Sequence, residues 1–150
     1  MAYEISATIE IAATPDEVWA VLSDLASYPR WHPAFRKVSG QLTAGSKLTI
    51  TTSPPDGRLM TVKVKVLIAD PGRELRWVSK LLGITISKRT FLLSPIDGGT
   101  SLVQAGSYRG LRGFQGRGSG RGTFAVIARI HGTFEAINQA IKEQAEARHL

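Results

Sequence analysis

From Tyr3 to Ile11 the chain alternates, with Tyr3, Ile5, Ala7, Ile9 and Ile11 set against Glu4, Ser6, Thr8 and Glu10. A period of two marks a strand with one buried face. At Thr14 the pattern changes. Thr14 suits an N-cap, Pro15 the first helical position, and Asp16 and Glu17 the electropositive first turn, so a helix is predicted from about Pro15. Val18, Trp19, Leu22 and Leu25 recur at helical spacing and give it one apolar stripe. Pro29 and Pro33 restrict a second helix to a short piece around Leu25 to Tyr28.

Turn signals then arrive at regular intervals: Ala44-Gly45, Pro54-Pro55-Asp56-Gly57, Asp70-Pro71-Gly72, Leu82-Gly83 and Asp97-Gly98-Gly99. The segments between them are read as strands. The clearest runs from Met60 to Ile68, where Val62, Val64, Val66 and Ile68 alternate with Lys63, Lys65 and Leu67. Connections this short favour antiparallel neighbours over crossover helices. From about Thr123 to Ala147 the period becomes helical, with Phe124, Ile127, His131, Phe134, Ile137, Ile141 and Ala145 near one face. A helix of about 24 residues is about 36 Å long, enough to cross a curved sheet.

Composition narrows the classes. At 150 residues the chain fits one domain over 1–150, able to bury roughly 70% of the surface it exposes when unfolded. Hydrophobic residues at 43% and charged residues at 21% are those of a soluble globular protein. No apolar run reaches the roughly 18 residues of a membrane span, and the N-terminus does not read as a signal peptide, so a cytoplasmic location is the expectation. Absence of cysteine excludes disulfides, thiolate catalysis and cysteine-ligated metal. Charge adds one asymmetry to a net +7: no acidic residue falls between Asp97 and Glu135, whereas Arg109, Arg112, Arg117, Arg121 and Arg129 do.

The order strand, short helices, strands, long helix, together with TPDEVWAVLSD, YPRWHP, PGRELRW and FEAINQAIKEQAE, resembles the START-related superfamily also called SRPBCC, in its polyketide cyclase/dehydrase-like branch. The resemblance covers nearly the whole chain. It implies an α+β helix-grip fold: a curved antiparallel sheet of about seven strands wrapped around the C-terminal helix, with two short helices between strands 1 and 2. It also implies an internal pocket for a small, largely apolar molecule such as a lipid, polyketide or aromatic metabolite.

Candidate pocket residues follow from which faces point inward. Trp19, on the inner helical stripe, reads as core. Trp31, in a proline-bounded segment, and Trp77, alternating with Leu75, are better placed to meet a ligand, together with Tyr108, Phe124, Ile127 and His131. His131 would be the polar handle and is the one candidate for a catalytic group; Tyr108 and Arg89 are the other polar residues expected inside. His32 is read as a surface or mouth residue. Three scattered histidines make no metal site, and no cofactor motif is present: GRGSGRG lacks the G-x-G-x-x-G spacing. Related sequences often carry acidic side chains where this chain has Gly106 and Ser107, so any chemistry those side chains perform is in doubt here.

Tyr108 to Gly122, YRGLRGFQGRGSGRG, is too rich in glycine for a stable helix and reads as a loop before the long helix. It can close over the pocket through Leu111 and Phe114, or hold phosphate through Arg112, Arg117 and Arg121 with Phe114 stacking on a base. The primary expectation is binding of a small apolar ligand. The alternatives are an acid/base cyclase or dehydratase acting on a polyketide-like substrate, and a module for nucleic acid or an acidic partner built on the basic loop.

Overall fold

A computed structural model describes residues 2–52, 59–81, 84–109 and 120–149. Seven strands form one antiparallel sheet: β1 (Ala2–Ile11), β2 (Phe35–Gly40), β3 (Lys47–Thr52), β4 (Met60–Asp70), β5 (Glu74–Leu81), β6 (Ile84–Ile96) and β7 (Gly99–Arg109), in the spatial order β1-β7-β6-β5-β4-β3-β2. Only β1 leaves sequence order, pairing with β7 so that Tyr3 faces Tyr108 and Ile11 faces Thr100. The sheet curves, and the concave side carries the alternating apolar residues. This is the helix-grip arrangement.

Between β1 and β2 lie α1 (Pro15–Ser23), a 3-10 turn (Leu25–Ser27) and the one-turn α2 (Tyr28–Trp31). The capping box forms as the sequence predicts: the Glu17 amide donates to Thr14 Oγ1 (3.2 Å) and the Thr14 amide to Glu17 Oε1 (2.9 Å). Pro29 does not end a helix. It sits in the first turn of α2, where its missing N–H has no intrahelical partner to lose, and the helix stops at Trp31 ahead of Pro33. Turns at Gly45, Gly72 and Gly98 adopt positive φ, the left-handed region that glycine enters at no steric cost. The predicted turns at 54–57 and 82–83 lie outside the described residues.

The long helix, α3 (Gly120–His149), starts three residues before the predicted Thr123 and includes Gly120 and Gly122. Once a helix is nucleated, each added glycine costs only about 1 kcal/mol, so an extra turn is a small correction. The second half of α3 seals the core: Phe134, Ile137, Ile141 and Ala145 are fully buried, the last three with Ile11, Val18, Leu22, Leu75 and Leu102. Polar ties pin its end to β1. The Ala12 amide donates to Glu146 Oε2 (2.9 Å), and Lys142 Nζ donates to the Glu10 carbonyl (3.0 Å) and to Glu146. These donors hold the Glu146 carboxyl below its ordinary pKa, Lys142 most strongly.

Candidate functional site

Alternation on six consecutive strands, β2 to β7, aims one set of side chains at the concave side, and toward one end of it they do not meet. The result is a partly enclosed recess of about 200 Å³. Phe35 comes from β2, Ile50 and Thr52 from β3, Val62 and Val64 from β4, Trp77 and Ser79 from β5, Ser87, Lys88 and Arg89 from β6, and Tyr108 from β7. Most of this wall is apolar or aromatic. A cavity of about 150 Å³ already holds benzene, so the recess has room for a one- or two-ring molecule.

One wall is the end of an aromatic row that begins on α2. Tyr28 stacks on His32 (5.5 Å), His32 on Phe35 (4.0 Å, 8° between planes), Phe35 meets Trp77 (6.4 Å), and Trp77 meets Phe91 (5.6 Å). His32 is therefore a buried structural residue, not the mouth residue expected. Its Nδ1 accepts the amides of Ala34 (3.1 Å) and Phe35 (3.0 Å), which turns the chain into β2. Burial, with the positive charges of Arg89 and Arg36 adding to it, lowers its pKa from 6.5 to about 3, so the ring is neutral. Tyr28, equally buried, donates to the Leu22 carbonyl (2.5 Å), and burial pushes its phenol well above the ordinary value.

Among the polar lining residues, Arg89 and Tyr108 are joined by a hydrogen bond. Arg89 Nη2 donates to the Tyr108 hydroxyl (3.3 Å), and the guanidinium carbon lies 4.9 Å from the Phe134 ring centre and 5.8 Å from that of Phe35. Both are within reach of a cation–π interaction. Among the described residues no carboxylate or imidazole lines the recess.

The expected site residues divide accordingly. Trp77 and Tyr108 line the recess. Trp31 is half-buried, donates its indole N–H to Ser27 Oγ (2.9 Å) and packs on Tyr28, away from the lining. Trp19 packs against the core from α1. His131 does not enter the recess: it lies half-exposed on α3, its Nδ1 3.3 Å from Glu135 Oε1, in a groove beside β1. Helical phase explains the difference, because Phe134, Ile137 and Ile141 take the buried stripe and place His131 at its edge. Ile127 is half-buried on α3 and outside the described lining. The side chains of Phe124 and Arg121 lie outside the described residues, as do Arg112, Phe114 and Arg117 entirely. Arg89, expected inside, lines the recess as well; Phe35, Ile50, Val62 and Val64 line it too, and in the sequence only strand alternation marks such residues.

Among the described residues no cluster of acidic residues and histidines is disposed to hold a metal ion, and no helix is long and apolar enough to cross a membrane.

The family model described as polyketide cyclase / dehydrase and lipid transport matches residues 2–146. No curated protein matches the chain in sequence. Solved structures share the fold at low identity. The Zhui aromatase/cyclase of a Streptomyces species is 20% identical, with 100% of this chain and 97% of that one covered and a TM-score of 0.79. The di-domain aromatase/cyclase StfQ of the steffimycin biosynthetic pathway is 14% identical over 99% of this chain and 52% of its own, TM-score 0.79. A Polyketide_cyc-like protein of Corynebacterium glutamicum is 23% identical over 99% and 94%, TM-score 0.65.

Proposed function

The chain belongs to the polyketide cyclase / dehydrase and lipid transport family, and on that premise we propose that it binds a small, largely apolar molecule, of lipid, polyketide or aromatic type, in the recess beneath Trp77. The observation that carries this reading is the hollow itself. Six strands turn side chains, most of them apolar or aromatic, toward a space that they leave unfilled, which is the usual form of a small-molecule site. Displacement of a hydrophobic dye by a panel of ring compounds and fatty acids, followed by native mass spectrometry, tests it. Binding is expected in the wild-type chain and is lost in Val62→Phe, which fills the recess from β4. No binding, or binding that Val62→Phe leaves intact, overturns the reading.

A cyclase or dehydratase would need a group to move a proton at the bound molecule. The described lining supplies Tyr108, with its hydroxyl held by Arg89, and Lys88, but no carboxylate or histidine. That donor set supports orientation of a carbonyl or hydroxyl better than proton abstraction from carbon. Binding is accordingly the first reading. Turnover of a poly-β-ketone that disappears in Tyr108→Phe with binding retained would reverse the order.

A further inference from the structure

Arg89 has more hydrogen-bonding capacity than its surroundings use. Nη2 reaches Tyr108, but Nη1 is buried and has no partner among the described residues. The rings of Phe134 and Phe35 satisfy the faces of the guanidinium and leave its edge. Arginine stays charged at any pH a protein experiences, so an unpaired buried N–H of this group is costly and calls for a partner. Carboxylates in the described ion pairs are engaged elsewhere, with Arg73, Arg76, Lys142 and Arg148 and with the histidines 131 and 149.

Strand register shows why no partner comes from within the sheet. Directly across from Arg89 stand Trp77 on β5 and Gly106 on β7. Gly106 is the inward position from which an acidic side chain would neutralise the guanidinium. It is glycine, and the room is taken by ring edges: a Cβ there would lie 2.7 Å from Phe134 Cζ and 2.8 Å from Tyr108 Cε2. Tyr108 itself accepts from Arg89, so its own O–H remains a donor beside Nη1.

Resting on the reading of the recess as a ligand site, we propose that its occupant is an anion: a planar, largely apolar molecule ending in a carboxylate or equivalent sp2 oxyanion. A turn of the guanidinium that brings Nη1, covered in this structure, to the recess lets it and the Tyr108 hydroxyl donate to the two sides of that group, and Trp77, Phe35 and Val64 cover the hydrocarbon. A charge-assisted pair of this kind is stronger than a neutral one, and more so in a partly enclosed recess than in open water. The net charge of +7 assists its approach.

Naphthoate and naphthamide, alike in shape and different in charge, make the test. In NMR titrations followed at the Trp77 indole N–H, naphthoate binds the wild-type chain at least about tenfold more tightly than naphthamide, the range of one charge-assisted hydrogen bond. Arg89→Met abolishes the preference while naphthamide binding persists, Arg89→Lys keeps part of it, and Tyr108→Phe reduces it. Should Arg89→Met fail to fold, the wild-type preference together with Tyr108→Phe decides. Equal binding of the two probes by the wild-type chain, or an unchanged preference in Arg89→Met, overturns the anion proposal and leaves the apolar site standing. Binding of neither probe overturns both.

Discussion

Gln104 and Gly106 are neighbours on the same face of β7, and the polar interior around them is built in opposite ways. At Gln104, fully buried, Nε2 donates to the Phe134 carbonyl (3.2 Å) and to Asn138 Oδ1 (2.8 Å), while Asn138 Nδ2 donates to the Ala7 carbonyl (3.1 Å). These bonds tie β7, α3 and β1 together, with Gln104 Oε1 the one atom of the pair left without a partner among the described residues. One step along the strand, Gly106 contributes no side chain, the rings of Phe134 and Tyr108 close over it, and Arg89 stands opposite, at the wall of the recess, with Nη1 unpaired among the described residues. Polar groups of the first kind join elements and hold the fold. Those of the second kind are held by the fold and offered to something else.

Four measurements test that contrast. Truncation should cost most at the filled end: Ile137→Ala, wholly buried under α3, is expected to lose about 4 kcal/mol in urea unfolding, because a packed site cannot collapse around the cavity. Val62→Ala on the recess wall should cost less than about 1 kcal/mol, and equal losses would break the comparison.

Acid acts next, on the aromatic row beside the recess. His32 is neutral when folded, with a pKa of about 3 against 6.5 in the unfolded chain. The unfolded state therefore binds the extra proton, and the stability tied to His32 is complete above about pH 6.5. It falls by about 1.4 kcal/mol per unit as the pH drops from there toward 3. Denaturation between neutral pH and about pH 4 should show this slope, and His32→Asn, which keeps an acceptor for the two amides, should flatten it. A slope that survives in His32→Asn would assign the acid sensitivity elsewhere.

Asn138→Ala, which strips the Gln104 amide of one acceptor and the Ala7 carbonyl of its side-chain donor, should cost about 2 kcal/mol. Arg89→Met should change stability by less than about 1 kcal/mol, since loss of the bond to Tyr108 is offset by removal of a buried N–H without a partner and most of the apolar stem is kept. A loss at Arg89 as large as that at Asn138 would make Arg89 another brace of the fold.

Much of the fold was legible in the order of residues. The alternation of β1, the Thr14 capping box, the glycine turns and the stripe of α3 each depend on neighbours a few residues apart, and within the described residues the predicted strands and helices formed with their ends shifted by a few residues. The inward direction of Trp77 was likewise readable, because alternation with Leu75 states which side of the strand it faces. The histidines were not. His32 and His131 both sit in apolar surroundings in the sequence, yet one is stacked between Tyr28 and Phe35 and the other pairs with Glu135 at the surface. What separates them is the packing of α2 onto β2 in one case and the phase of α3 against the sheet in the other.

The sequence by itself determined the architecture, since burial of one face writes a period of two or of 3.6 into local order. It also determined that the interior would be apolar with few titratable groups. Only the tertiary structure decided which of those groups lacks a partner. Arg89 and Gly106 lie on different strands, and nothing local to either says that register sets them face to face or that Phe134, from the far end of the chain, fills the space between. Desolvation and pairing are sums over everything brought near a group, and those neighbours come from elements far apart in the sequence.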